Sequence, residues 1–93
     1  DMNADPDEGD SYDDPMTKWL LENPKVNASF TPLASAESDE RFGRATDPDD
    51  TASFGFRVDY VLPSADLTVL DGAVERVAAS SDHAMVWLDL VLP

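Results

Sequence analysis

The sequence predicts an α/β fold, a mainly antiparallel sheet with one or two helices. Three observations lead to it. Residues 14–22 carry apolar side chains at helical spacing behind a proline. The last forty residues hold three runs rich in aromatic and β-branched residues. Between these blocks lies a long stretch of Ala, Ser, Asp, Glu, Thr and Gly in which Phe42 is the only large apolar residue between Ala34 and Ser53.

Residues 1–14 carry seven acids and no base, together with Pro6 and Gly9, and read as a turn-rich loop. In Asp14-Pro15-Met16-Thr17-Lys18-Trp19-Leu20-Leu21-Glu22, Asp13 or Asp14 is placed to cap a helix and Pro15 to occupy its first turn. Asn23-Pro24 ends it after two to three turns. Met16, Trp19 and Leu20, with Leu21 beside them, fall on one side, so the Trp19/Leu20 stripe reads as core. Asn27–Thr31 reads as a short extended segment. The acidic stretch that follows is long for a loop in a compact domain, and such a loop is usually either functional or poorly ordered.

Residues 54–63, 67–77 and 84–92 read as strands. In the last run, Ala84, Val86, Leu88, Leu90 and Leu92 face one way and Met85, Trp87 and Val91 the other. A strand apolar on both faces is expected to be a covered, central one. Asp71-Gly72 marks either a hairpin turn or a bulge. One convincing helix does not supply a covering layer for both sheet faces, so the sheet is expected to need further material.

The chain has 93 residues, of which 20 are Asp or Glu and 6 are Lys or Arg, for a net charge of −14. A chain of this size forms one small domain and buries about 60–65% of its unfolded surface. No apolar run approaches the ~20 residues that span a bilayer. No Lys/Arg cluster is present to neutralise phosphates, which disfavours a stand-alone nucleic-acid-binding module. The sequence has no cysteine, which excludes disulfides and thiolate metal sites. The chain opens at Asp1 without a signal-like segment, so it reads as a processed product or as a piece of something longer.

Two groups of residues invite chemistry. Asp59 lies in the middle of Arg57-Val58-Asp59-Tyr60-Val61-Leu62, where an ionised carboxylate is costly unless paired. The sole histidine, His83, follows Asp82 and opens the last strand. An Asp59–His83 pair would orient the imidazole for acid–base work. In the plainer alternative, Asp59 is half exposed on an edge and His83 is a turn residue. Arg57 is either a phosphate contact or a partner for nearby acids. The second group is Asp1, Asn3, Asp5, Asp7 and Asp10. In a calcium-loop register starting at Asn3, Glu8 stands where glycine is required and Gly9 arrives one residue late, so a solvated acidic turn is the better account.

Asp1-Met2-Asn3-Ala4-Asp5 resembles the end of the G-D-x-N motif of the endonuclease/exonuclease/phosphatase superfamily, whose fold is that of DNase I. Arg57-Val58-Asp59-Tyr60-Val61-Leu62 resembles its R-x-D-Y-V/I segment, and Ser81-Asp82-His83 its closing S-D-H motif. The wording around these motifs is similar to bacterial, often secreted, members. The resemblance implies that residues 1–93 are the C-terminal half of a DNase I-like four-layer α/β sandwich. It also implies a phosphoesterase that uses Mg²⁺ or Mn²⁺, with Ca²⁺ a third candidate, and an extracellular or periplasmic location. Asp1 would orient or deprotonate the attacking water, and Asn3 would hydrogen-bond the scissile phosphate. Asp59 would buttress His83, His83 would contact a phosphate oxygen, and Asp82 would help hold the metal. The substrate would be a phosphorylated small molecule or a nucleic acid, and the missing N-terminal half of the same domain would be a partner. The family's main metal-binding Glu, an early Asn and another His have no counterpart here, so the 93 residues alone are expected to be inactive. The competing reading is an acidic, non-catalytic calcium-binding or interaction module.

Overall fold

The computed structural model describes residues 1–2, 4–7, 14–36, 42–43, 47–77 and 81–92. Helix α1 spans Asp14–Leu21. Pro15 suits its first turn because the missing N–H has no partner there in any case. At its end, Glu22 N donates to Lys18 O and Asn23 N to Leu20 O, which tightens the last turn. Asn23 Oδ1 then accepts from Lys25 N at 2.9 Å, closing an Asx turn over Pro24.

The inward stripe of α1 is not the one the apolar spacing suggests. Thr17 is 1% exposed, while Met16 and Trp19 are 63% and 60% exposed. The buried face runs through Thr17 to the half-buried Leu20 and Leu21, so the two leucines turn inward as expected while Met16 and Trp19 do not. Trp19 is therefore a surface residue among the described contacts, not core.

The sheet has three strands in the order β1-β2-β3. They are β1 (Leu33–Ala34), β2 (Thr68–Glu75) and β3 (Met85–Val91). β2 and β3 are antiparallel, with Val74 opposite Val86 and Ala73 opposite Trp87. β1 runs parallel to β2, with Leu33 opposite Ala73. The central strand among the described residues is thus β2, and β3 lies at the edge, contrary to the expectation from its two apolar faces. The reason is β1. Leu33 and Ala34, at the entrance to the acidic stretch, take the free side of β2, and Ser35 N donates to Val74 O beside them.

The register slips between Val69 and Asp71, so the Asp71-Gly72 signal marks a bulge and not a turn. A Cβ at Gly72 would lie 2.5 Å from Leu88 Cδ2 and 2.7 Å from Trp87 O, so only glycine lets the strands meet at this pair. Glu75 clips all three strands together. Its carboxylate accepts from the Ser35 hydroxyl at 2.5 Å and from Trp87 Nε1 at 3.1 Å. These two donors, Ser35 first, hold the Glu75 carboxyl below its ordinary value.

The core lies on one face of the sheet, where Phe42, Val74 and Ala84 are buried and Val86 packs against them. Burying a side chain such as Val74 stabilises by about 1.5–3 kcal/mol. Around this small core, Leu70, Val77, Met85, Val91 and Leu92 remain exposed.

Residues 54–63 do not form the predicted strand. Their amides are already engaged by side chains: Arg57 N donates to Asp5 Oδ2 at 2.8 Å, and Val58 N and Asp59 N both donate to Thr51 Oγ1 at 3.0 Å. Val58 O accepts from Met2 N at 2.7 Å. A backbone satisfied in this way has no ladder to offer a neighbouring strand. In the acidic stretch, Arg76 orders residues 47–50 by donating to the carbonyls of Asp47 and Asp50. No helix among the described residues is long and apolar enough to cross a membrane.

Candidate active site

Three separate segments meet beside the start of β3. The opening residues reach it because Met2 N is bonded to Val58 O and because Asp5, 5% exposed, clamps Arg57 N with one carboxylate oxygen and Asp7 N with the other. Residues 51–53 run beside residues 82–84: Ala84 N donates to Thr51 O at 2.7 Å and Ser53 N to Asp82 O at 2.8 Å, with Ala52 bridging His83. Residues 57–60 complete the group.

At the meeting point, His83 Nδ1 lies 2.7 Å from Asp59 Oδ2. An ionised carboxylate only accepts, so Nδ1 carries the proton in this bond. His83 Nε2 faces Asp1 Oδ2 at 3.7 Å, and the side chains of His83 and Asp59 are 30% and 19% exposed. That gap is too long for a direct hydrogen bond. Phe54, 45% exposed, presents its ring edge-on to the imidazole, with centroids 6.0 Å apart.

The structure thus joins Asp1, Asp59 and His83, whose ligand atoms all lie within 4.8 Å of one another. Of the two readings of Asp59 and His83, it is the paired one that the coordinates contain. Asn3 lies outside the described residues. Asp82 is exposed beside His83 and belongs to neither cluster of potential ligands among the described residues. Arg57 stacks on the Tyr60 ring with its guanidinium carbon 4.6 Å from the centroid. Tyr60 in turn places its hydroxyl 2.8 Å from Arg57 O and 3.0 Å from Ala4 O. Burial pushes the Tyr60 hydroxyl well above the ordinary tyrosine range, with Asp5, Asp7 and Asp49 adding to the effect and Arg57 opposing it. It stays a neutral donor that ties the opening segment to residue 57.

The family model described as Endonuclease/Exonuclease/phosphatase family matches residues 1–83. The chain belongs to this family. The match runs from the opening aspartate to the histidine of the pair, so it takes in all three segments that build the site. No curated protein and no solved structure matches the chain. Membership of this endonuclease/exonuclease/phosphatase family makes the chain nuclease- or phosphoesterase-like in kind.

The donor set discriminates between roles for a metal. Asp59 Oδ2 and His83 Nδ1 are engaged with each other, whereas the Asp1 carboxylate is exposed and faces His83 Nε2 at 3.7 Å. Mg²⁺ is a hard cation that commonly takes one or two protein carboxylates and completes its shell with water and phosphate oxygens. Asp1 fits such a site, and the imidazole fits a proton-handling place beside it. The second acidic cluster, Asp47, Asp49 and Asp50, sits in the turn that Arg76 already holds.

Asp5, one of the residues of the calcium-loop alternative, accepts a backbone amide at each carboxylate oxygen. Sequence reasoning singled out Asp5 only for that reading and missed Thr51 altogether. A hydroxyl residue in an Ala/Ser/Asp/Thr stretch gives no periodic signal, and only tertiary contacts reveal it.

Proposed function

We propose that this chain is the C-terminal part of a divalent-metal-dependent phosphoesterase domain that hydrolyses a phosphodiester or phosphomonoester by attack of water. The 2.7 Å Asp59–His83 pair with Asp1 opposite Nε2 is the observation that carries this reading. Asp59 fixes the imidazole so that Nε2 points towards Asp1. An imidazolium there donates from Nε2 to a phosphate oxygen and stabilises the charge that develops on it. Asp1 accepts a hydrogen bond from a water and aligns it for attack. Asn3 is assigned the scissile phosphate, and Arg57 a flanking phosphate oxygen. Asp1 and Asp82 are the carboxylates assigned to a Mg²⁺ or Mn²⁺ ion, which would supply Lewis-acid polarisation of the phosphoryl oxygen.

The exposed Leu70, Met85, Val91 and Leu92 support an N-terminal half of the same domain as the missing cover. With a net charge of −14, long-range attraction of a polyanion is poor unless the upstream half is basic, so a small phosphorylated molecule is at least as good a substrate candidate as DNA or RNA. Resemblance to secreted members favours an extracellular or periplasmic setting.

The test compares phosphodiester and phosphomonoester hydrolysis, with Mg²⁺ or Mn²⁺, by this chain alone and by the chain joined to the N-terminal half of a family member. The joined protein is expected to be active and the chain alone inactive. His83→Ala in the joined protein should lower kcat by ~10²–10⁴-fold, the usual size of an acid–base contribution. Equal activity with and without the upstream half, or an unaffected His83→Ala variant, would overturn the proposal.

A further inference from the structure

We infer that Thr51 is the positioning residue that sets the Asp59–His83 geometry; this rests on the catalytic reading of that pair. Thr51 is 1% exposed and bonds to the amide of Asp59 and to that of Ala84, the residue after His83. Its Oγ1 accepts from Val58 N and Asp59 N, each at 3.0 Å, which fixes the peptide plane leading into Asp59. Its carbonyl accepts from Ala84 N at 2.7 Å, which fixes the peptide plane leading out of His83. The two acidic and imidazole side chains are 24 positions apart in sequence and lie on different segments. The backbone of one residue and the side chain of the same residue therefore reference each member of the pair to the other.

His83 N is held independently by Ser81 Oγ at 3.0 Å, so the imidazole end has a second support. The Asp59 amide donates to the Thr51 hydroxyl, and a residue without that oxygen leaves both the 58 and 59 amides to find another acceptor. Asp59 then drifts relative to His83. The loss falls on the tautomer of the imidazole, because the 2.7 Å bond to Asp59 is what keeps the proton on Nδ1.

His83 is the sole histidine of the chain, so its ring resonances need no assignment by mutation. The test is imidazole ¹⁵N NMR of the whole chain, at a pH well above the ordinary imidazole range, on the parent, Thr51→Val and Thr51→Ser. Valine keeps the volume and loses the oxygen; serine keeps the oxygen and loses the methyl. Thr51→Ser is expected to retain the Nδ1–H form of the parent, and Thr51→Val to lose it while the remaining spectrum stays folded. A packing role gives the opposite order, with Thr51→Val unchanged and Thr51→Ser shifted, and that overturns the inference. Should Thr51→Val not fold, Thr51→Ser decides: retention of the Nδ1–H form supports the inference and its loss overturns it. A parent chain already lacking that form removes the pair itself, and the catalytic reading with it. A parent that shows it, yet hydrolyses nothing when joined to an upstream half, leaves the positioning role of Thr51 standing.

Discussion

Asp5 is the residue whose removal most directly tests how the site is assembled. Its carboxylate is 5% exposed and accepts two backbone hydrogen bonds, from Arg57 N at 2.8 Å and Asp7 N at 3.0 Å. A hydrogen bond to a charged group contributes ~1.5–3 kcal/mol. Asp7 is exposed, so water replaces most of its bond, whereas the Arg57 bond has the full value. Against this, removing one negative charge relieves repulsion by less than about 1 kcal/mol at ordinary ionic strength. Asp5→Ala is therefore expected to lose ~0.5–3 kcal/mol. With a urea m-value of ~1.5 kcal/mol/M for a chain of this size, the midpoint falls by about 0.3–2 M, read by tryptophan fluorescence. Amide exchange at Met2 and Arg57 should accelerate more than at Val74, because the opening segment loses its clamp before the sheet does. A loss below about 0.5 kcal/mol, or acceleration spread evenly over the sheet, would refute the clamp.

Two further outcomes follow from the geometry. Because Ser35 and Trp87 hold the Glu75 carboxyl below its ordinary value of 4.5, the folded state binds the proton less readily than the unfolded one. That contribution to stability is present above pH 4.5 and lost as pH falls below it, so Glu75→Gln should flatten the acid limb of a denaturation series measured from pH 6 to pH 3. Gly43 has φ +54° and approaches Ser53 so closely that an added Cβ would lie 2.7 Å from the Ser53 Cβ and nearer still to its carbonyl oxygen. The left-handed backbone alone costs about 1–2 kcal/mol for alanine, and the contact is with backbone that cannot swing away, so Gly43→Ala should exceed that loss in calorimetry.

Much of this was legible in the sequence, and the parts that were not share a cause. The helix at residues 14–21 announces itself through Pro15 and Asn23-Pro24, which act locally. β2 and β3 are long enough for period-two patterning to be read, and the alternation of Val86, Leu88 and Leu90 against Met85 and Trp87 appears in their register. The His83–Asp59 pair is one of two readings that the residues leave open, and the resemblance of residues 57–62 and 81–83 to family motifs is what points to it. By contrast, β1 is two residues long and has no period to read. Residues 54–63 have strand composition, but Asp5 and Thr51 intercept their amides, and those contacts span 52 and 7–8 positions in sequence. Trp19 faces outward for a similar reason: periodicity identifies two adjacent stripes on α1 and cannot choose between them, and the buried choice fell on Thr17.

The outer position of β3 has a consequence for how the molecule behaves among its own copies. An edge strand bearing bare Met85 and Val91 is a template on which another chain can add hydrogen bonds and bury oily surface. What stands against that stacking is the shared sign of the copies, each carrying fourteen surplus negative charges. Salt shortens the reach of that repulsion from roughly 10 Å at 0.1 M to 3 Å at 1 M. Concentrated electrolyte thus leaves the sticky rim in place while switching off its guard, and colloidal stability becomes a property of the buffer as much as of the fold.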